Sequence, residues 1–362
     1  MKHVSTTLTL WITWMLAMSG SALADDGNHH NHTHSHCKNN GVTTHNHNHG
    51  GRHHHKACDG SGPGGTTGGE YAVGTTQYFF NDSTDTPMPA IVYYPKALAD
   101  MSEIPAGVTF PATIFMQGGN VDGARYSWLE ELATHGYIVV IPDINPVPTP
   151  NTDGSGTNPN TKLTSVDVLD RTVVNLHDFA IAPGSEIEGR FDGQIAISGH
   201  SLGAVMAIMS VDEQACLEAS GAIGRCPPLY MRHPSIVALW MIGGHFENPN
   251  GPPDTRPINK PVDFPIYTIS GSEDGHSTRD EILTTYNRYE EPKIFYEIAG
   301  ANHLNWTDYL HPQDDIAKDL PATIEKEVQL VTTLGAVRSF LDCELKADQD
   351  ACSAIPSSIP TL

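Results

Sequence analysis

Gln194-Ile195-Ala196-Ile197-Ser198-Gly199-His200-Ser201-Leu202-Gly203-Ala204-Val205-Met206-Ala207-Ile208-Met209 is the stretch that decides the fold. Its first five residues form the short apolar run of a buried strand, and its last eight are the small and apolar residues of a buried helix. Only Gly199 to Ser201 remain for the turn between them. A serine in such a turn, flanked by glycines, matches the nucleophile elbow. In that motif a strained strand-to-helix turn exposes the hydroxyl at the end of a sheet, and the glycines let strand and helix approach closely. The helix beginning behind the serine aims its free amides at the same point, which favours negative charge there. The plainer reading is an ordinary strand-turn-helix with a capping serine. The two differ in whether a base and an acid follow at the right places.

Outward from this stretch, short apolar runs alternate with amphipathic ones. Strands are expected at Tyr71 to Phe80, Ala90 to Tyr94, Ala112 to Met116, Tyr137 to Ile141, Gln194 to Ser198, Ile236 to Ile242, Pro265 to Ser270 and Lys293 to Ile298. Helices are expected at Ala124 to Thr134, Ser165 to Ala180, Leu202 to Val211, Glu281 to Tyr289 and Pro321 to Leu341. This alternation predicts an α/β fold with a mostly parallel eight-stranded sheet covered by helices on both faces. No helix separates the first two strands, so they should form a hairpin at one edge. Pro and Gly gather at Asn145 to Asn160 and Gly243 to Pro265, both after strand ends, where ligand-facing loops of such sheets sit. The second is only about twenty residues long and has no helical period, which leaves no room for a large cap domain there, so the cleft should be open.

A serine hydroxyl needs an imidazole to take its proton and a carboxylate to orient that imidazole. The order along the chain should be serine, acid, histidine. His303 is the best-placed base, in Ala299-Gly300-Ala301-Asn302-His303 directly after the eighth strand. His245 and His276 follow the sixth and seventh strands and read as loop or cleft-lining residues. His200 and His135 fit structural roles. For the acid, Gly271-Ser272-Glu273-Asp274 follows the seventh strand and points to Asp274, with Glu273 as its neighbouring alternative and Asp263 and Glu247 behind. The oxyanion donors should be the amide of Leu202, directly after the nucleophile, and one from Met116-Gln117-Gly118-Gly119-Asn120 after the third strand. There Gly119 is the candidate.

With these residues placed, the chain resembles the α/β-hydrolases. It is similar to a group that includes platelet-activating-factor acetylhydrolases, chlorophyllases and cutinase-like polyester hydrolases. The likeness rests on Val92-Tyr93-Tyr94-Pro95, on Tyr126-Ser127-Trp128-Leu129 with Leu132 to Val140, and on Gly199 to Gly203, within residues 70 to 342. The resemblance implies an α/β-hydrolase fold, a Ser201-His303-Asp274 triad, and ester hydrolysis through an acyl-enzyme with no cofactor. In the cutinase-like members an aromatic residue supplies the second oxyanion amide and lines the groove. Gly119 stands there in this chain and leaves the pocket wall open. A disulfide near the C-terminus is also a feature of that group.

The ends of the chain read differently. Lys2, the apolar run Leu8 to Met18 and Ala22-Leu23-Ala24 form the pattern of a cleaved export signal over residues 1–24. No later stretch reaches the roughly 18 apolar residues of a membrane span, so an exported protein, periplasmic or extracellular, is expected. Residues 25–69 hold eleven histidines between His29 and His55 and almost no apolar side chains. Such a composition predicts disorder, together with weak binding of zinc, nickel or copper by interchangeable imidazoles. No fixed ligand spacing marks a dedicated metal site. Residues 70–345 should form the folded domain and 346–362 a C-terminal tail.

Six cysteines fit an oxidising compartment. The short spacings Cys216 to Cys226 and Cys343 to Cys352 suggest local disulfides, and Cys37 and Cys58, which flank part of the histidine tract, could either bind metal or pair with each other. With 42 acidic against 20 basic residues, the formal charge of −22 disfavours nucleic acid as a partner.

The reading is an exported serine carboxylic-ester hydrolase acting on small or polymeric esters. Its rivals are a lipase or phospholipase and an exported metal-binding protein using the domain as a scaffold.

Overall fold

Buried side chains alternate along the strand that carries the elbow: Ile195 and Ile197 join one apolar cluster, Ala196 the other. One strand thus contributes to two cores, as expected of a sheet covered on both faces. The structure, a computed structural model, describes residues 68–81, 87–98, 103–143, 149–150, 157–158, 166–212, 228–245, 263–309, 311 and 313–358. The expected export signal, nearly all of the histidine tract, Cys37, Cys58, the Cys216–Cys226 pairing and Glu247 lie outside these residues. So does most of both Pro/Gly-rich stretches.

The eight expected strands are all present: β1 (Tyr71–Asn81), β2 (Pro87–Leu98), β3 (Phe110–Met116), β4 (Ile138–Pro142), β5 (Phe191–His200), β6 (Ile236–Ile242), β7 (Ile266–Gly271) and β8 (Lys293–Ile298). They form one sheet in the order β1-β2-β4-β3-β5-β6-β7-β8. β2 alone runs against the rest, antiparallel to β1 on one side and β4 on the other. Every pairing from β4 to β8 is parallel.

Helices lie on both faces. On one, α2 (Val166–Ile181) and α3 (Leu202–Ser210) pack with Ile114, Ile195 and Met241. On the other, α1 (Glu131–Thr134) and the long α7 (Lys326–Lys346) pack with Phe115, Trp240 and Tyr267. The short α4 (Leu229–Arg232), α5 (Arg279–Asn287), α6 (Gln313–Ile316) and α8 (Gln349–Ala354) are the other α-helices among the described residues. Two polar pairs tie the central strands within the cores: Trp240 donates to Thr113 Oγ1 at 3.0 Å, and Ser198 Oγ donates to the Ile114 carbonyl at 2.8 Å. An unmet donor at such depth would cost about 1–3 kcal/mol.

Two helices depart from expectation. The first begins as a 3-10 helix, Gly123–Glu130, broken at Tyr126 (φ −113°, ψ 35°), and becomes α-helical only at Glu131. The break seats the fully buried Tyr126 hydroxyl against the loop after β3. The last helix starts at Lys326 instead of Pro321, because the preceding residues bond elsewhere: Thr323 N donates to Gly300 O, and Leu320 O accepts from Asn302. As expected from the spacing, Cys343 and Cys352 form a disulfide, which joins α7 to α8. Beyond α8, Ser358 N donates to Phe295 O, so the chain returns along β8. Among the described residues no helix is long and apolar enough to cross a membrane.

Candidate active site

Ser201 occupies the first position after β5 with φ 53° and ψ −121°, a left-handed backbone that non-glycine residues rarely adopt. Its side chain makes no capping hydrogen bond to α3, which removes the plain capping reading. The backbone is held from outside: Ser201 N donates to Ile242 O of β6 at 3.0 Å, and Ser201 O accepts from Val205 N at 3.1 Å. Strain of this kind costs of order 1–3 kcal/mol and persists only where its surroundings enforce it.

Both flanking glycines are sterically required. A Cβ on Gly199 would collide with the Gly203 carbonyl, and one on Gly203 would collide with the Met116 carbonyl of β3. These obstacles are backbone atoms, so neither can turn away. Gly203→Ala is therefore expected to lower the unfolding free energy by about 3 kcal/mol, read from urea denaturation. An unchanged midpoint would show that α3 does not need this approach.

The acid and base loops lean on one another at the ends of β7 and β8. Ser272 N donates to Ile298 O, Glu273 N to Ala301 O, and Gly300 N to Ser272 Oγ. Asp274 and His303 meet between them, with His303 Nδ1 2.9 Å from Oδ2 and 3.1 Å from Oδ1. Asp274 Oδ1 also accepts the amides of His276 at 3.0 Å and Ser277 at 2.6 Å. Both side chains are almost completely buried, with 0% of the Asp274 side chain exposed. An ionised carboxylate only accepts hydrogen bonds, so the proton resides on His303 Nδ1 and Nε2 is left as the basic nitrogen. Burial works to depress the His303 pKa, but the charge and hydrogen bond of Asp274, followed by Asp319 and Asp315, outweigh it and raise the pKa above its ordinary value.

Other imidazoles crowd the pair. The His200 ring centre lies 4.6 Å and that of His276 5.0 Å from the His303 ring centre. Burial first, then His303, His311 and His276, hold His200 well below its usual pKa. His311 is pushed down to about 4, again by burial and then by its neighbours. A cationic His303 thus has neutral companions.

The loop after β3 closes the site. Tyr126 Oη accepts the Gly118 amide at 2.8 Å and lies 3.1 Å from His200 Nδ1. The hydroxyl thus joins the loop after β3 to the elbow histidine. Gly118 is thereby committed to structure. The next amide, Gly119, has no acceptor among the described residues, and neither has that of Leu202. A Cβ built on Gly118 would stand 3.5 Å from Ser201 Cβ, and one on Gly119 would stand 3.5 Å from the Leu202 side chain. Leu202, Gly119 and Ser201 therefore share one corner. Asn120, in a left-handed conformation at φ 60°, turns the loop there.

The side chains of the remaining sequence candidates make other contacts. His245 Nδ1 lies 3.0 Å from Oγ of Ser277, whose amide donates to Asp274. His276 Nε2 bonds to the Asp315 carbonyl, Glu273 pairs with Ser272 Oγ, and Asp263 is exposed. His135 lies beside Glu131 and Arg338 at the end of α1. Sequence reasoning missed two residues, Tyr126 as the clamp on Gly118 and Asp319, which bonds to both catalytic-candidate loops. A tyrosine in an amphipathic stretch and an aspartate in a loop carry no local signal of such roles. Ser201 Oγ and His303 are not hydrogen-bonded to each other. Such contacts are often loose without substrate. No protein-family model matches this chain, and a search of curated proteins finds no significant relative.

Proposed function

We propose that this protein is an exported serine ester hydrolase of the α/β-hydrolase fold, in which Ser201, His303 and Asp274 act as the catalytic triad. The observation that carries the proposal is the strained, non-capping Ser201 at a strand-to-helix turn, beside a buried His–Asp pair presented by the last two strands. Support for the fold comes from the eight-stranded sheet, its single reversed strand β2 and the chain order serine, acid, histidine.

In the proposed reaction Ser201 Oγ attacks the ester carbonyl while its proton passes to His303 Nε2. The amides of Leu202 and Gly119 stabilise the oxyanion. Collapse of the tetrahedral intermediate breaks the bond to the alcohol oxygen, which leaves with the proton from His303. Water, deprotonated by His303, then attacks the acyl-Ser201 ester; the second tetrahedral intermediate breaks its bond to Oγ, releases the acid, and His303 returns the proton to Ser201. The chain's own groups supply every proton transfer, so a chelator should leave hydrolysis unchanged even if residues 25–69 bind metal.

The test is reaction of the purified protein with an organophosphonate followed by peptide mass spectrometry, together with p-nitrophenyl esters of two to sixteen carbons. One adduct, on the peptide containing Ser201, is expected. A rate maximum at short acyl chains supports an esterase, and one at long chains supports the lipase or phospholipase reading. An unlabelled protein inert toward the whole series would refute the proposal.

A further inference from the structure

We propose that Asp319 is a positioning residue for the proposed reaction: its carboxylate staples the loop bearing the acid to the loop bearing the base. The inference rests on the hydrolase reading and adds a residue to it.

Asp319 lies between α6 and α7 and is buried. Its Oδ1 accepts the Gly275 amide at 2.9 Å, directly after Asp274, and the His303 amide at 3.3 Å. Its Oδ2 accepts the Leu304 amide at 3.0 Å. One side chain thus holds the backbone on the far side of both members of the His303–Asp274 pair. Charge-assisted bonds to amides are about twice as strong as neutral ones, and three of them fill most of the roughly four acceptor sites of a carboxylate, which offsets the cost of burying it.

The surrounding chain is arranged for this contact. A Cβ on Gly275 would collide with the Lys318 carbonyl and stand 2.9 Å from Asp319 Cα, so only glycine lets the two segments approach. The same segment makes two more attachments, Asp315 O to His276 Nε2 and Leu320 O to Asn302 Nδ2. Asn302 is held from α7 as well, since Gln329 Oε1 accepts its amide and Gln329 Nε2 donates to its carbonyl. Residues 315 to 320 therefore form a clasp across two loops that belong to different strands, with Asp319 at its centre.

The charged and titratable groups facing His303 are Asp274 and His276 from the acid loop, Asp315, Asp319 and His311 from the clasp region, and His200 from the elbow. Asp319 is one of the acids that raise the His303 pKa. His303 must be neutral at Nε2 to act as base, so activity falls as pH drops through its pKa. Removing the Asp319 charge lowers that pKa and moves the acid limb to lower pH.

The experiment is Asp319→Asn in the full chain, assayed with p-nitrophenyl butyrate across pH and with the organophosphonate. The asparagine carbonyl can keep Gly275 and His303, but its NH2 then faces the Leu304 amide, donor against donor. The expected result is a kcat reduced about ten- to hundredfold, with KM within about threefold, and an acid limb displaced downward. An unchanged kcat with an unmoved acid limb overturns the role. Hydrogen exchange on the wild-type protein supplies a readout that needs no variant: the Gly275, His303 and Leu304 amides should be protected like those of β7. Exchange at the rate of exposed loops overturns the staple even if the variant fails to fold. A wild-type protein that neither hydrolyses esters nor reacts with the phosphonate overturns the hydrolase reading instead, while protected amides would leave the staple standing as a structural element.

Discussion

Ser201→Ala is expected to abolish ester turnover, with a fall in kcat of roughly 10⁵- to 10⁶-fold, and to lose the organophosphonate adduct with it. The proposed reaction has no substitute for Oγ, since a water in its place would not be aligned with the carbonyl, and the amides proposed as oxyanion donors, Leu202 and Gly119, would supply only a small residual rate. The backbone argues for a companion variant. Ser201 stands at φ 53° and ψ −121°, a conformation in which glycine has no Cβ to strain. Ser201→Gly should therefore be equally inactive yet raise the unfolding free energy by about 1 kcal/mol or more. Loss of activity with gain of stability separates a strained catalytic position from a serine that merely packs. Retained turnover in either variant, or an adduct on another serine, would refute the assignment.

Asp274→Asn is expected to reduce kcat by about 10⁴-fold while leaving the fold intact. The two amides that Asp274 already accepts decide the orientation of the new side chain. His276 N and Ser277 N are donors pointing at Oδ1, so the asparagine carbonyl must face them. Its NH2 group then takes the Oδ2 position, 2.9 Å from His303 Nδ1 in the wild-type protein. A donor there requires Nδ1 to be the unprotonated nitrogen, which places the proton on Nε2. His303 in that tautomer cannot accept the Ser201 proton. Loss of the carboxylate charge also removes the interaction that keeps the histidine basic within a buried site. Kinetics at high pH and thermal unfolding check this together: a variant of near wild-type midpoint and full kcat would remove Asp274 from the mechanism.

The strands and the elbow were legible because each depends on residues close together in the chain. Buried runs such as Ile236–Ile242 and Ile266–Gly271 have strand length and fall between turn residues, and Gly199 and Gly203 announce the tight turn by composition alone. The placement of Asp274 and His303 was legible for a related reason: each follows the end of a strand within a few residues, so the parallel sheet brings both to the edge where Ser201 stands.

What lay beyond the sequence is made by contacts between distant segments. Tyr126 finds His200 across 74 residues, and Asp319 finds Gly275 across 44. The strand order also places β4 between β2 and β3. Periodicity determines which side chains are buried and where the chain must turn, and in this protein that was enough to place the sheet and the strand-to-helix turn at Ser201, on which the proposed triad rests. It does not determine which amides a carboxylate will meet. Asp319 reads in the sequence like any loop aspartate beside Asp314 and Asp315. Only the folded chain, by bringing Gly275, His303 and Leu304 around it, distinguishes a buried staple from a solvated charge.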